Sequence, residues 1–220
     1  MNVKPALYAV NVTALVTDDV LFKKAFALAR PQRQEKAARY RKREDAALSL
    51  GVELLLRHAH AQAGVPFPKG YITTAYGKPC GEALLFNLSH SGEWALCAVA
   101  DNEVGCDVEK IDPAHLRVAE RFYTENEKEQ LASAANEEER VFRFFRMWTL
   151  KESFIKAADV DFDLISEPAV ILGNPSRIKG EESATFAEYT DIPGYACAMC
   201  SYSGGELPPL QIVELSDLLK

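Results

Sequence analysis

The sequence predicts an α+β fold, and three observations carry that prediction. Apolar stretches at helical spacing and groups of short strand-like runs come in blocks, helices and then strands, twice along the chain. Strict strand–helix alternation, which a doubly wound parallel sheet requires, is missing. The 220 residues are 48% hydrophobic and 26% charged, an ordinary globular composition on a chain long enough to bury a core.

Residues 6–16 alternate in apolar character and read as a first strand. With one early lysine and no small-residue cleavage pattern, the segment is not expected to be a signal peptide. DDVLFKKAFALA (18–29) has helical spacing and an acidic start, and Pro31 opens a second, basic helix. EDAALSLGVELLLRHAHAQA (44–63) is strongly apolar at helical spacing and stops at Gly64, a C-terminal cap. VPFPKG is a loop. YITTAY, ALLFNLS, EWALCAVA and EVGCDVE follow as strands, separated by turn signals such as GKPCGE and SHSG. A helical stretch begins at Pro113 and continues, with breaks, through RFYTENEKEQLASA and EEERVFRFFRMWTLKESFIKAA. After Asp159 the chain returns to strands in PAVILG, SRIKG, ATFAEYT, YACAMCSY and LQIVEL.

The join falls near residues 100–112, so two α+β halves are expected, 1–105 and 106–220. No long linker or low-complexity segment separates them. They should pack tightly, with a site between them.

Net charge is −7, which speaks against a nucleic-acid binder. No stretch approaches the roughly 18 uninterrupted apolar residues of a membrane span. The basic charge is uneven: Arg30 to Arg43 holds seven Lys/Arg against a single acid, Glu35. Such a local positive surface suits an anionic ligand or an acidic partner. The five cysteines are scattered and read as reduced thiols of a cytoplasmic protein. Cys197 and Cys200 lie in a predicted strand, and no second Cys/His pair is placed to complete a zinc site, so their role is structural.

Four segments carry candidate chemistry: GKP (77–79), FNLSHSG (86–92), GCDVE (105–109) and WTLKESFIK (148–156). Asp107 and Glu109 are two apart on a predicted strand and share a face, with Val108 on the other. Two converging carboxylates need a cation between them, and magnesium takes one or two carboxylates with phosphates and waters. The alternative is a solvated strand face. Glu152 and Lys156 are four apart on a predicted helix, either as an ordinary salt bridge beside a stripe of Phe144, Phe145, Trp148 and Ile155, or as a third metal ligand and a phosphate-binding cation. Lys151 sits about 100° around from Glu152, a second flanking cation. Ser89 and His90 are neighbours on a strand and point to opposite faces, so His90 cannot serve Ser89 as base, and no G-x-S-x-G elbow is present. A phosphate-binding turn suits them better, with Lys78 a further exposed cation. His58, His60 and His115 have no partners at ligand spacing and are taken as structural or surface residues.

Taken together, KREDAALSLGVELLLR, YGKPC, FNLSHSGEWALCAVA, VGCDVEKID, RFYTENE and MWTLKESFIKA resemble, in order and rough spacing, the phosphopantetheinyl transferases of the longer, surfactin-synthetase-activating (Sfp) type. The likeness covers residues 20–160 and, more weakly, the rest. It implies a pseudo-dimer of two similar α+β halves with the active site in the cleft between them. It also implies transfer of the 4′-phosphopantetheinyl group from coenzyme A to a serine of an acyl or peptidyl carrier protein, releasing adenosine 3′,5′-bisphosphate.

On this resemblance Asp107, Glu109 and Glu152 hold magnesium, and Lys151 and Lys156 bind phosphate. Ser89, His90 and Lys78 contact the coenzyme A phosphates, and Arg33 and Lys36 serve the adenine and ribose phosphate. Glu127 matches a residue proposed as the base for the serine, and Glu152 is a second candidate, acting directly or through a water. Many relatives carry an arginine where this chain has Leu48, and Arg43 is a nearby cation suited to compensate. The resemblance further implies a monomer. A metal-dependent phosphohydrolase that activates water would use the same residues, whereas a non-catalytic carrier-binding module that has lost its metal is opposed by the intact Asp107, Glu109 and Glu152. The basic 30–43 segment suits either an acidic carrier or the nucleotide phosphates.

Overall fold

The structure is a computed structural model that describes residues 3–70, 72–81 and 84–220, with the backbone alone at 117–120. It begins with strand β1 (Ala6–Asn11). The strand is shorter than the alternating run suggested, because the Asn11 side chain accepts the Thr13 N–H at 2.9 Å and turns the chain into a short helix, α1 (Thr13–Thr17). Asp18 caps α2 (Asp19–Leu28) by accepting the N–H groups of Val20 and Leu21. Pro31 starts α3 (Pro31–Arg39), and α4 (Arg43–Gln62) runs 20 residues to Gly64, whose φ of +65° ends it. A small hairpin, β2 (Ile72–Thr73) and β3 (Pro79–Cys80), precedes β4 (Leu85–Ser91), β5 (Trp94–Ala100) and β6 (Val104–Lys110).

A 3-10 segment over Pro113–Val118 leads to α5 (Ala119–Phe122), α6 (Glu125–Ala132) and the 22-residue α7 (Glu137–Ala158). Asn136 caps the start of α7, and Asp159, at φ +51°, closes it. A second 3-10 segment (Phe162–Ser166) is followed by the hairpin β7 (Val170–Ile171) and β8 (Arg177–Ile178), then β9 (Thr185–Tyr189), β10 (Tyr195–Ser201), β11 (Leu210–Ile212) and α8 (Leu215–Leu218).

The mixed α+β class is as predicted. One sheet has the order β11-β1-β5-β4 and another β6-β10-β9. The last strand departs from the expected division at 105/106: β11 pairs in parallel with β1, Leu7 opposite Leu210. Leu218 and Leu219 then join the core beneath α4. The cause is hydrophobic: β1 is buried on both faces, and its second edge needs a partner.

Side-chain parity explains the layering. On β1, Ala6, Tyr8 and Val10 pack under α4, whereas Leu7 and Ala9 point the other way into a core shared with β6 and β10. On β10, Tyr195, Cys197 and Met199 enter that shared core, and Ala196, Ala198 and Cys200 face α7. The two sheets therefore pack against each other, with α4 outside one and α7 outside the other. Cys197 and Cys200 lie in different cores and share no site, in line with a structural role. Among the described residues, no helix is long and apolar enough to cross a membrane.

Candidate active site

The site forms where β6 meets α7. Val104, Cys106 and Val108 are buried between the sheets, so Gly105, Asp107 and Glu109 face the helix. Gly105 lets the helix come close: a Cβ there would lie 2.0 Å from the Ser153 carbonyl oxygen and 2.6 Å from the Ala157 nitrogen. Only hydrogen fits in that space. At this separation Glu152 and Lys156, one turn apart on α7, reach the strand. Lys156 Nζ lies 2.6 Å from Asp107 Oδ1 and 3.0 Å from Glu152 Oε2. Asp107, Glu109 and Glu152 each present an oxygen within 4.8 Å of the others.

Asp107 is 1% exposed, and its Oδ2 has no hydrogen-bond partner. An unpaired buried carboxylate oxygen costs free energy unless something positive meets it. Burial pushes the Asp107 carboxyl well above the ordinary range, Lys156 pulls it back, and Glu152 and Glu109 push it further up. Burial likewise raises Glu109, a trend that its hydrogen bond from Ser91 opposes. Burial works against the charge on Lys156, but Asp107 and Glu152 prevail and hold its pKa far above the lysine range. In ionised form, three carboxylates and one ammonium sum to −2, the charge a divalent cation balances. The all-oxygen donor set suits a hard cation such as magnesium. Beside Glu109, a cavity of about 140 Å³ is walled by His115, Phe144, Phe145 and Trp148.

Strand β4 holds the other side. It is the edge of its sheet, β6 is the edge of the other, and the two are not paired in a ladder. Polar side chains at every second residue of β4 bridge them. Asn87 accepts the Cys106 N–H at 2.9 Å, Ser89 donates to Asp107 Oδ1 at 2.7 Å, and Ser91 donates to Glu109 Oε2 at 2.8 Å. Sequence reasoning missed Asn87 and Ser91. Their alternation with Ser89 in N-x-S-x-S was the available signal, but its meaning required knowing that β4 lies against β6.

His90 points away from Ser89 and is exposed, as strand parity requires. Although the side chain reaches the surface, the protein crowded around its ring partly strips it of water and depresses its pKa first, and the charges of Lys156, Lys36 and Arg33 depress it further. These three cations therefore gather toward one imidazole, and Lys36 is exposed and in no ion pair among the described residues.

Other expected residues are placed differently. Ser89 was expected to donate to phosphate, but its proton goes to Asp107. Lys151 was expected to bind phosphate and Glu127 to act as base, yet both are fully buried, 3.0 Å apart, as an ion pair. Lys151 also donates to the carbonyls of Phe122 and Ile165. Glu127 closes the capping box of α6 with Thr124 and accepts the Val170 N–H at 2.9 Å. The 100° step from Glu152 turns Lys151 into the helix-packing side, where no phosphate reaches it. Arg33 is buried against Glu53 and Ser49, beside Arg30, which also binds Glu53. Lys78 pairs with Glu103 at 2.9 Å. Leu48 is part of the core under α4. Arg43 does not take up a compensating place beside it: its guanidinium donates to the carbonyls of Leu15 and Asp18, pairs with Asp19 and lies over Phe22.

Comparison with known proteins points to one family. Residues 103–200 match the model of the 4′-phosphopantetheinyl transferase superfamily. The chain is 34% identical over 200 residues to the 4′-phosphopantetheinyl transferase gsp of Aneurinibacillus migulanus, covering 85% of this chain and 84% of that protein. It is 31% identical over 201 residues to the 4′-phosphopantetheinyl transferase Sfp of Bacillus subtilis (strain 168), covering 86% and 89%. Over 117 residues it is 44% identical to the 4′-phosphopantetheinyl transferase HetI of a Nostoc species, covering 52% and 49%.

Proposed function

The chain belongs to the Sfp-type 4′-phosphopantetheinyl transferases, and we propose that this enzyme moves the phosphopantetheinyl arm of coenzyme A onto a serine of an apo acyl or peptidyl carrier protein. The reaction is magnesium-dependent and releases adenosine 3′,5′-bisphosphate. The observation that carries the reading is the convergence of Asp107, Glu109 and Glu152 around the unpartnered, buried Asp107 Oδ2.

Those three carboxylates would hold the magnesium, which when bound neutralises charge on the coenzyme A pyrophosphate. The remaining work falls to the chain's own groups. Lys156, kept protonated by Asp107 and Glu152, donates to a phosphate oxygen from a fixed position. Lys36 and His90 receive the outlying nucleotide phosphate, with Arg33 adding its charge while Glu53 holds its guanidinium. Lys78 meets phosphate only by exchanging Glu103 for it. The serine nucleophile comes from the carrier, so this chain need not supply one. Its proton passes to Glu152, directly or through a water, because Glu127 has no exposed atom to receive it. The leaving group is already a stable phosphate anion, so a strong general acid is unnecessary.

We further propose that the halves 1–105 and 106–220 form a pseudo-dimer, with the final strand handed back to the first half. A long helix on an antiparallel pair of strands in each, α4 on β1 and β5, and α7 on β6 and β10, supports this reading. The site then lies in the cleft at the β4–β6 seam. The enzyme acts as a monomer in the cytoplasm, a compartment that suits its five free cysteines.

The test is to incubate the enzyme with coenzyme A and magnesium, with and without apo carrier protein. Release of adenosine 3′,5′-bisphosphate only when carrier is present supports transfer. Release that needs no carrier identifies a hydrolase instead.

A further inference from the structure

Ser91 has no role in the chemistry above, yet its hydroxyl is held by two partners on β6. Its oxygen accepts the backbone N–H of Lys110 at 3.1 Å, and it donates to Glu109 Oε2 at 2.8 Å. A hydroxyl has a single proton, and a backbone donor fixed on β6 occupies one of its lone pairs, so the proton is aimed at Oε2. The turn that carries Ser91 is itself pinned: the Glu93 N–H donates to the Tyr195 hydroxyl at 3.1 Å, and Lys110 pairs with Glu93 at 2.8 Å.

Ser89 does the same for the neighbouring carboxylate. It donates to Asp107 Oδ1, which also takes the Lys156 ammonium, and Oδ2 is left without a partner. Each carboxylate of β6 thus has one oxygen engaged by a β4 hydroxyl, and the other remains for a cation. Magnesium demands near-ideal octahedral geometry and fits ligands that each give one oxygen. Calcium takes six to eight oxygens and readily accepts both oxygens of a carboxylate.

We infer that Ser91 is a positioning residue that presents a single oxygen of Glu109 to the cation, and that this one-oxygen presentation selects magnesium over calcium. The inference rests on the magnesium reading of the preceding section. Groups that orient metal ligands typically change metal affinity by about 10–100-fold when removed.

The experiment titrates magnesium alone and calcium alone into the full-length enzyme by calorimetry, without coenzyme A. Wild type is compared with Ser91→Ala and with the near-isosteric pair Ser91→Thr and Ser91→Val, and metal-free melting temperatures report folding. Removal of the hydroxyl should weaken magnesium binding about tenfold or more, calcium binding clearly less, and Ser91→Thr should keep the wild-type ratio of the two. If Ser91→Ala fails to fold, the threonine–valine pair carries the comparison. Equal magnesium-to-calcium ratios in the folded variants overturn the inference and leave the magnesium reading intact. A wild-type enzyme that binds neither cation overturns both.

Discussion

Lys156 on α7 lies 2.6 Å from Asp107 on β6, and that contact joins the long helix to the strand bearing two of the three clustered carboxylates. It is possible only because Gly105, two residues before Asp107, has no side chain to hold the helix away.

Replacing Asp107 with Asn keeps the size and removes the charge. A metal ion supplies several kcal/mol of charge stabilisation, so transfer should fall by about three decades. The magnesium-induced rise in Tm of the wild type should disappear in Asp107→Asn, measured by scanning calorimetry at several magnesium concentrations.

Gly105→Ala should be damaging although Ala is small. Its Cβ would fall on the α7 backbone, which has no rotamer through which to yield. We expect a stability loss of about 1–3 kcal/mol by urea denaturation, with transfer activity reduced beyond what the unfolded fraction explains.

The Glu127–Lys151 pair should behave as a structural element. Lys151→Met leaves a buried carboxylate uncompensated and should cost about 3–5 kcal/mol. Adding Glu127→Gln removes the charge but keeps only one of the two acceptor oxygens that serve Thr124 and Val170, so part of the loss should be recovered. Chemical denaturation of the two single variants and the double variant measures that coupling.

His90 gives a pH prediction. Partial desolvation by the surrounding protein and the cations Lys156, Lys36 and Arg33 hold its pKa below the ordinary histidine value, so it is neutral near pH 7 in the free enzyme. A phosphate seated beside it raises that pKa, so binding takes up a proton. Coenzyme A affinity should therefore strengthen as pH falls through the raised, bound-state value and level off below the free-state one. Calorimetry over roughly pH 5.5 to 8 tests this, and His90→Gln should flatten the dependence.

The geometry that strand and helix periods dictate was legible in the sequence. Asp107 and Glu109 share a face because they are two apart on β6, and Glu152 and Lys156 share one because they are four apart on α7. What stayed hidden depends on which element packs against which. Nothing local to Lys151 or Glu127 tells that they meet inside the protein, 24 residues apart in sequence. The roles of Asn87 and Ser91 exist only because two sheet edges lie side by side. β11 joins β1 across nearly the whole chain, a pairing that short strand-like runs cannot reveal. Arg33 read as a ligand-facing cation because its partner Glu53 sits on another helix, 20 residues on.

The most direct measurement is the intact mass of apo carrier proteins after incubation with the enzyme, coenzyme A and magnesium, with Asp107→Asn as the parallel arm. A gain of one phosphopantetheinyl group on the carrier serine, lost when the serine is replaced and nearly abolished in Asp107→Asn, is the predicted result. Carriers left unmodified by the wild type, or modified equally well by Asp107→Asn, would contradict the assignment of this carboxylate cluster to the transfer.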